Sequence, residues 1–314
     1  MLDAQELARR VTGGHAELSK IVAEVVSASH GIFRHVKDND GLGLAETKNT
    51  SGETQLELDV LADGAFRNRL TQIGTVGYVV SEEQPGLTGQ AGRPYSVVLD
   101  PLDGSKSARV GIPCGAIFAV FENVRSVGDF TGRNIVASGF FVYGIRHELF
   151  AAGAGGVFRF REQDQEGVWV GAPLGKTLPR ADMLAINASN FAHWPQWLRA
   201  YYSHQFDPTV PGRKPWNMRW YASLVSEVKR LILQGGVFAY PGDARPGYAN
   251  GHLRLVYEAL PMAYLIDALG GAATDGSEPI LCRSVQELHQ KTPLFLGERQ
   301  QIEKLLEFQK REVS

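Results

Sequence analysis

The sequence predicts a layered α/β protein, and three features of its apolar pattern indicate that fold class. Apolar residues recur at helical spacing near the amino terminus, which predicts helices at 4–11 and 16–36. Between residues 75 and 162 the pattern changes to short apolar runs that are typical of strands. The second half of the chain mixes both periods. Strand runs followed by mixed elements are typical of sheets covered by layers of helices.

The predicted elements follow one another along the chain without an internal repeat. A polar, Gly-rich stretch at 38–53 follows the helix pair, and loops of this length often serve as active-site lids. A third helix is predicted to follow Asp59. The strands are predicted at 75–83, 95–100, 114–121, 134–144, 147–153, 157–162, 184–187 and 236–240. The later helices are predicted at 194–204, 221–234, 257–269 and 298–310.

At 314 residues the chain is long enough for one large domain or for two lobes. The change from strand runs to mixed elements predicts that two lobes meet near 170–185. We therefore expect an N-terminal lobe at 1–178 and a C-terminal lobe at 179–314.

The composition indicates neither a nucleic-acid nor a membrane partner. The formal net charge is −2, the pI is near 6.5, and no Lys/Arg-rich run is present. Apolar runs fall far short of the ~18 residues that a spanning helix needs. Cys114 and Cys282 have no spacing typical of a zinc site or a disulfide framework, so we interpret both as buried thiols. A cytoplasmic enzyme fits this profile, as do many other proteins.

The segment VVLDPLDGSKS (97–107) carries the most information about function. An apolar strand ends in Asp100, Pro101 is predicted to turn the chain, and Asp103 follows. The two carboxylates can therefore lie side by side, and the Leu102 carbonyl can add a third oxygen. Hard divalent cations such as Mg²⁺ bind all-oxygen sets of this kind. The five residues Asp-Pro-Leu-Asp-Gly (100–104) are also a good turn sequence, so the segment alone leaves both the metal-site and the turn interpretation open.

The Gly104–Ser105 step adds a second element to the same segment. Without a Cβ atom, Gly104 lets the backbone approach a ligand closely. Consecutive N–H groups from 104 to 106 could then hold a phosphate. Metal ligands beside an anion cradle are the groups that phosphoryl transfer requires.

Further acidic residues stand at the ends of other predicted elements. Glu82 and Glu83 end a strand, Glu258 lies inside an apolar run, and Asp59 precedes a helix. Each has an ordinary alternative. Glu82 and Glu83 can form a solvated strand terminus, Glu258 can pair with an arginine, and Asp59 can be a helix N-cap. If these acids meet in space, they favour a phosphatase with more than one metal ion.

The order of these motifs resembles class I fructose-1,6-bisphosphatase, a family of the lithium-sensitive phosphatase superfamily. The resemblance runs from about residue 15 to about residue 300. It is carried by SEE, DPLDGS, GAIF, GRNIVASG and LRLVYE-x-x-PMAY, in that order. It implies a layered α/β/α/β/α sandwich, hydrolysis of the 1-phosphate of a sugar bisphosphate, and two or more Mg²⁺ ions, with Mn²⁺ or Zn²⁺ as possible substitutes. It also implies a homodimer or homotetramer.

The resemblance assigns roles residue by residue. The implied metal ligands are Glu82, Asp100, Asp103, Glu258 and the carbonyl of Leu102. The acids implied to act on the attacking water, or to close over the metals from the lid loop, are Asp59, Glu83 and Glu53. Gly104 and Ser105 are implied to hold the departing phosphate. The positions implied around the sugar and its retained phosphate are Asn187, Arg219, Tyr240, His252 and Arg254, of which Arg219 is implied to cross a subunit interface.

The sequence departs from the family pattern at the retained phosphate and beside the cradle. His252 stands where the family has a lysine, and Asn190 and Trp220 replace two tyrosines. Because a histidine is only partly charged near neutral pH, we expect weaker binding of a terminal phosphate. Lys106 and Arg109 follow the cradle, where they could contact phosphate, pair with loop acids or face solvent.

The substrate expected first is fructose 1,6-bisphosphate, with sedoheptulose 1,7-bisphosphate as the alternative within the same class. A non-catalytic sugar-phosphate sensor and a structural Ca²⁺ site are the alternatives from other classes. Pro94 and Glu122 fall where the family's nucleotide site carries basic residues. We therefore expect that AMP does not inhibit this protein, and strong inhibition by micromolar AMP would refute this expectation.

Overall fold

The computed structural model describes residues 1–38, 43–48, 54–164, 166–212 and 214–313. The helices are α1 (Ala4–Thr12), α2 (Ala16–Lys37), α3 (Glu57–Leu70), α4 (Ser105–Ala108), α5 (Gln196–Phe206), α6 (Leu224–Gln234), α7 (Leu260–Ala268) and α8 (Arg299–Val313). A π-helical turn at Leu255–Ala259 runs directly into α7. Among the described residues, no helix combines the length and the apolar character that crossing a bilayer requires.

The strands are numbered in chain order. The first eight are β1 (Leu44–Lys48), β2 (Thr54–Leu56), β3 (Val76–Ser81), β4 (Thr88–Gly89), β5 (Tyr95–Asp103), β6 (Gly115–Glu122), β7 (Ile135–Tyr143) and β8 (His147–Gly153). The others are β9 (Gly156–Gln163), β10 (Val168–Pro173), β11 (Met183–Ala185), β12 (Asn217–Met218), β13 (Val237–Tyr240), β14 (Leu253–Arg254), β15 (Ala272–Thr274), β16 (Lys291–Thr292) and β17 (Leu294–Gly297).

Eight strands form the larger sheet, in the order β10-β9-β8-β7-β6-β5-β3-β4. Neighbouring strands are antiparallel except β3 and β5, which run parallel, with Ser81 opposite Leu99. Because parallel strands end at the same edge of a sheet, the residues after β3 and the end of β5 lie next to each other. This edge positions the acids that the sequence singled out.

The smaller main sheet has five strands in the order β12-β11-β13-β17-β15 and mixes parallel with antiparallel pairs. Two further two-stranded pairs, β1-β2 and β14-β16, lie outside the main sheets. Strand β14 directly precedes the π-helical turn, and its pairing with β16 fixes where that turn begins.

Three hydrophobic clusters fill the interfaces between the layers. On β5, Val97 and Leu99 pack with α1, α2 and α3, whereas Val98 faces the cluster that contains α6 and α7. This alternation is what a strand with two buried faces requires. The α6–α7 layer also contacts the five-stranded sheet, whose other face is covered by α5 and α8. The predicted layered α/β/α/β/α sandwich is therefore confirmed. The division into lobes at 178/179 stays a prediction.

Several boundaries differ from the sequence prediction. Strand β5 continues through Asp103 instead of turning at Pro101. An extra residue in β5 forms a bulge between Asp100 and Asp103, where proline's missing N–H donor is tolerated. Helix α3 begins at Glu57, two residues before Asp59. The short strands β1, β2, β4, β10, β12 and β14–β17 were not predicted, because most are too short to show a period, and β1 lies within the stretch at 38–53 that was expected to be a loop. Cys114 is buried as expected, but Cys282 is exposed.

Candidate active site

Three of the predicted acids meet at the edge where β3 and β5 end. Asp100 and Asp103 come from β5, and Glu258 comes from the π-helical turn before α7. Each offers a carboxylate oxygen, and these three oxygens lie within 4.8 Å of one another. Glu82 and Glu83 follow β3, and their charges act on Asp100. We call these five residues the acid cluster.

Backbone and hydroxyl donors hold the cluster in place. The N–H of Val225 donates to Asp103 at 3.0 Å, and the Ser223 hydroxyl donates to the same oxygen at 3.2 Å. Both donors belong to the start of α6, whose unsatisfied N–H groups favour a negative charge. The N–H of Arg254 donates to Glu258 at 2.6 Å. Asp103 and Glu258 are therefore each fixed by a group from a different element.

The cluster carries more negative charge than its surroundings compensate. Burial raises the pKa of Asp100 well above its ordinary value, and the charges of Glu82, Asp103, Glu258 and Glu83 raise it further. Burial also raises the pKa of Glu258 well above its ordinary value, as do the nearby charges of Glu82 and Asp103. Burial raises the pKa of Asp103, although hydrogen bonds from the start of α6 oppose that rise.

A cation near the cluster neutralises part of this charge. The Arg254 side chain is buried, and its Nε lies 3.4 Å from Glu82 Oε1. The nearby hydroxyl of Tyr257 is buried without a hydrogen-bond partner among the described residues, and burial followed by the Glu82 charge raises its pKa. Among the contacts that the structure describes, one arginine faces this group of carboxylates, and such a set of oxygen donors fits divalent metal ions.

Asp59 and the predicted phosphate cradle lie beside the cluster. Asp59 is the third residue of α3 and not its N-cap, and its carboxylate accepts the N–H of the N-cap residue Leu56 at 2.7 Å, so it stabilises the first turn from inside the helix. It is also hydrogen-bonded to the Ser105 side chain. Burial raises the pKa of Asp59, while the charge of Lys106 is among the factors that lower it. Gly104 has a φ of 77°, and a Cβ atom there would lie 3.3 Å from the Cβ of Ser223.

A small cavity lies on the C-terminal side of the cluster. Its wall consists of Ile186, Asn187, Asn190, Trp194, Trp220, Ala239, Tyr240, Pro241, Asp243 and Arg245. Burial raises the pKa of Tyr240, and the Glu258 charge also contributes, so this ring of the cavity wall is close enough to feel the acid cluster. Two predicted sugar-site residues, Asn187 and Tyr240, therefore line one cavity.

The remaining predicted residues lie elsewhere or cannot be placed. Arg219 is exposed, outside the cavity wall, and donates to the carbonyl of Met218 at 2.8 Å. His252 is exposed and stacks on Tyr240, with 6.0 Å between ring centroids. Leu102 is buried, and its N–H donates to Asp100 at 3.1 Å. Glu53 lies outside the described residues.

Two contributors were missed by the sequence analysis. Ser223 stands before an apolar helix pattern, and a serine there is an ordinary N-cap signal. In the structure its hydroxyl donates to Asp103 instead. Arg245 enters the cavity wall from the segment after β13, where no local pattern pointed to a site. Both could be found only once distant segments were brought together.

Two models of one protein family together match most of the chain. A family model described as the N-terminal domain of fructose-1-6-bisphosphatase matches residues 1–172, and one described as its C-terminal domain matches residues 178–310. The class 1 fructose-1,6-bisphosphatase of Rhodobacter capsulatus is 37% identical over 294 residues, covering 90% of this chain and 87% of that protein. A class 1 fructose-1,6-bisphosphatase from a Bradyrhizobium species is 38% identical over 292 residues, covering 90% and 84%. The crystal structure of Leishmania major fructose-1,6-bisphosphatase in holo form superposes with a TM-score of 0.89 at 26% identity, covering 98% of this chain and 99% of that chain.

Proposed function

The chain belongs to the class 1 fructose-1,6-bisphosphatase family, a family of phosphatases, and from that premise we propose that it hydrolyses the 1-phosphate of D-fructose 1,6-bisphosphate. One observation carries the proposal: oxygens of Asp100, Asp103 and Glu258 lie within 4.8 Å of one another. They lie beside the predicted phosphate cradle at Gly104 and Ser105. The products are fructose 6-phosphate and inorganic phosphate.

The acid cluster would hold Mg²⁺. Asp100, Asp103 and Glu258 supply the ligand oxygens that already meet, and Glu82 and the Leu102 carbonyl complete the proposed set. When bound, such ions polarise phosphoryl oxygens and make water a better nucleophile. Burial and like charge raise the pKa values of Asp100 and Glu258, so protonation of these two carboxylates competes with the binding of a cation. Ion binding and proton release are therefore coupled.

The neighbouring residues position the reacting groups. Gly104 allows the backbone to approach the departing phosphate, and Ser105 stands beside Asp59, to which it is hydrogen-bonded. Glu83 and Asp59 orient the attacking water and accept its proton. Because burial raises the pKa of Asp59, this carboxylate is a better base than an exposed aspartate.

The sugar would extend from the cluster into the cavity. Tyr240 and Asn187 line the cavity, the charge of Glu258 acts on Tyr240, and Arg254 stands beside Glu82 at the cluster. Trp220 and Asn190 form part of the wall and are the two positions where the family has tyrosines. We assign the retained phosphate to this cavity because Asn187 and Tyr240 line it, and its altered wall keeps sedoheptulose 1,7-bisphosphate as the alternative substrate.

The proposal is tested by measuring phosphate release after removal of metal with EDTA. Fructose 1,6-bisphosphate, sedoheptulose 1,7-bisphosphate and fructose 6-phosphate are compared with and without added Mg²⁺. We expect the largest kcat/KM with fructose 1,6-bisphosphate, one phosphate released per sugar, and no release without Mg²⁺. Fructose 6-phosphate, which lacks the 1-phosphate, is the negative control.

Each alternative gives a different result in the same assay. A larger kcat/KM with sedoheptulose 1,7-bisphosphate would replace the substrate and keep the chemistry. Binding of sugar phosphates without any release of phosphate would favour the non-catalytic sensor. Full activity in EDTA would contradict the metal site.

A further inference from the structure

Arg245 is the cation in the wall of the cavity, and neither the sequence motifs nor the family resemblance gave it a role. Its side chain makes three contacts of 2.7–3.0 Å with Asp243: Nε contacts both carboxylate oxygens, and Nη2 contacts Oδ2. Its guanidinium carbon lies 4.0 Å from the centroid of the Tyr248 ring. The guanidinium is thus fixed on one edge by a carboxylate and on one face by an aromatic ring.

The fixed guanidinium keeps donors for a ligand. Asp243 occupies Nε and Nη2, and Nη1 has no hydrogen-bond partner among the described residues. The Asp243 side chain is 1% exposed, whereas that of Arg245 is 26% exposed. The carboxylate is therefore buried behind the arginine, which presents its other edge to the open side. A planar fork oriented in advance loses little side-chain entropy when it binds a phosphate.

The other nearby cations do not occupy this position. Arg219 is exposed and is not part of the described cavity wall. Arg254 lies at the acid cluster, 3.4 Å from Glu82. His252, which replaces the family's lysine, stacks on Tyr248 with 5.5 Å between ring centroids, and Tyr248 is also the ring beneath Arg245. Arg245 and His252 therefore pack on the same aromatic ring, and Arg245 supplies nearby the permanent positive charge that position 252 lacks.

We propose that Arg245 binds the retained phosphate of the substrate and replaces the missing lysine as the cation that selects a bisphosphate over a monophosphate. The proposal rests on the proposed function and adds to it the residue that sets this specificity. Asp243 is a positioning residue, because it holds the guanidinium and does not face the ligand. The expected strength is that of hydrogen bonds between charged groups, which corresponds to a loss of about 10- to 100-fold in affinity when they are removed.

The test separates binding from catalysis. Equilibrium binding of fructose 6-phosphate, which carries the retained phosphate alone, is measured for the wild type and for Arg245→Gln. Steady-state kinetics are then compared for fructose 1,6-bisphosphate and fructose 1-phosphate. We expect Arg245→Gln to weaken fructose 6-phosphate binding by about 10- to 100-fold and to raise KM for the bisphosphate more than it lowers kcat. The change should be much smaller with fructose 1-phosphate.

Two further variants keep the test decisive. Arg245→Gln leaves Asp243 buried without its cation, so the double variant Asp243→Asn/Arg245→Gln is measured in case the single variant does not fold. Arg283→Gln is the matched control, because Arg283 is 25% exposed and pairs with the buried side chain of Asp275 at 2.6 Å outside the cavity.

The outcomes distinguish this inference from the proposed function. Unchanged fructose 6-phosphate binding in both Arg245 variants, or equal losses with the bisphosphate and fructose 1-phosphate, would overturn the role of Arg245. If the wild type releases no phosphate from any sugar phosphate, the proposed function fails, while the binding measurement still decides whether Arg245 holds a phosphate.

Discussion

Two groups of carboxylates lie at the same eight-stranded sheet, and they differ in their partners and in the direction in which their pKa values are shifted. One is the acid cluster at the ends of β3 and β5. The other consists of Glu148 on β8 and Glu162 on β9, which are 1% and 8% exposed. The cost of burying a carboxylate is similar in both places, so the difference lies in what surrounds it.

The β8–β9 carboxylates are paired with basic side chains. Glu148 accepts from Arg159 at 3.0 and 2.5 Å and from Lys229. Glu162 lies 2.5 Å from the Nδ1 atoms of both His30 and His147. Burial alone would raise the pKa values of Glu148 and Glu162, but these partners outweigh burial and both pKa values fall below their ordinary range.

The acid cluster has the opposite balance. Its residues receive hydrogen bonds from backbone N–H groups and a serine, and Arg254 is the cation beside Glu82 among the described contacts. Burial and mutual repulsion raise the pKa values of Asp100 and Glu258. For a buried carboxylate that is paired with basic side chains of the same chain, these partners already offset the cost of burial. In the acid cluster, where burial and like charge raise the pKa values of Asp100 and Glu258, the carboxylates are neutralised either by protons or by a bound cation, which is why the cluster is the candidate site.

The largest expected effect comes from removing one charge of the cluster. Asp103→Asn keeps an oxygen that can accept from Ser223 and Val225 but removes a ligand charge. We expect phosphate release to fall by at least about 100-fold, because losing a ligand should cost no less than losing one of its supporting contacts. In EDTA the same variant should be more thermally stable than the wild type, since like-charge repulsion is reduced. Phosphate release and Tm are measured on the same preparations.

A matched substitution separates charge at the cluster from charge in general. Asp267→Asn removes an aspartate whose side chain is 58% exposed and which pairs with Arg299 at the surface. It should change neither phosphate release nor Tm noticeably. If Asp103→Asn retained most of the wild-type activity, the cluster would not be the catalytic site.

The second effect is on stability in the cation-paired group. Glu148→Gln leaves Arg159 and Lys229 without their carboxylate. Because both cations are partly exposed, we expect a loss of about 2 kcal/mol in the free energy of unfolding, less than for a fully buried pair. The activity of the folded protein should not change, since the residue lies outside the site. Urea unfolding is compared with that of Glu307→Gln, an exposed glutamate. An unchanged unfolding free energy would show that the pairing contributes nothing.

The sequence predicted the acids of the site better than it predicted their support. Strand ends and the DPLDGS segment located Asp100 and Asp103, because a strand followed by Gly has a recognisable local pattern. The π-helical turn that aims Glu258 has no such pattern, and it depends on the β14-β16 pair formed with residues near 291. The same holds for Ser223 and Arg245, whose roles arise from contacts between distant segments.

The layers could be predicted for a similar reason. Long helices such as α2 show their period over many residues, and a long buried strand such as β7 shows as a mostly apolar run. Strands of two or three residues, such as β12 and β15, are defined by the partner with which they pair and not by their own residues. This is why the extent of the five-stranded sheet could not be read from the sequence.

The smallest expected effect concerns pH and sharpens the contrast between the two groups. His147 is buried, and burial lowers its pKa although hydrogen bonding to Glu162 opposes the shift. The unfolded chain therefore binds a proton near pH 6.5 more readily than the folded protein does. It follows that His147 contributes stability above about pH 6.5 that is lost as the pH falls below that value. For the metal-free acid cluster the sign is reversed, because raised carboxylate pKa values favour the folded state as the pH falls.

The two contributions can be separated by removing the histidine. Unfolding free energies in EDTA are measured by urea titration at about pH 7.5 and pH 5.5 for the wild type and His147→Gln. A depressed histidine pKa can contribute at most about 1.4 kcal/mol per pH unit, so we expect the wild type to lose about 1 kcal/mol more than the variant over this range. The residual pH dependence of His147→Gln then reports the acid cluster, and adding Asp103→Asn should reduce it. Identical pH profiles for the wild type and His147→Gln would mean that burial does not discriminate against the charged imidazole, and that the β8–β9 group tolerates charge as readily as solvent does.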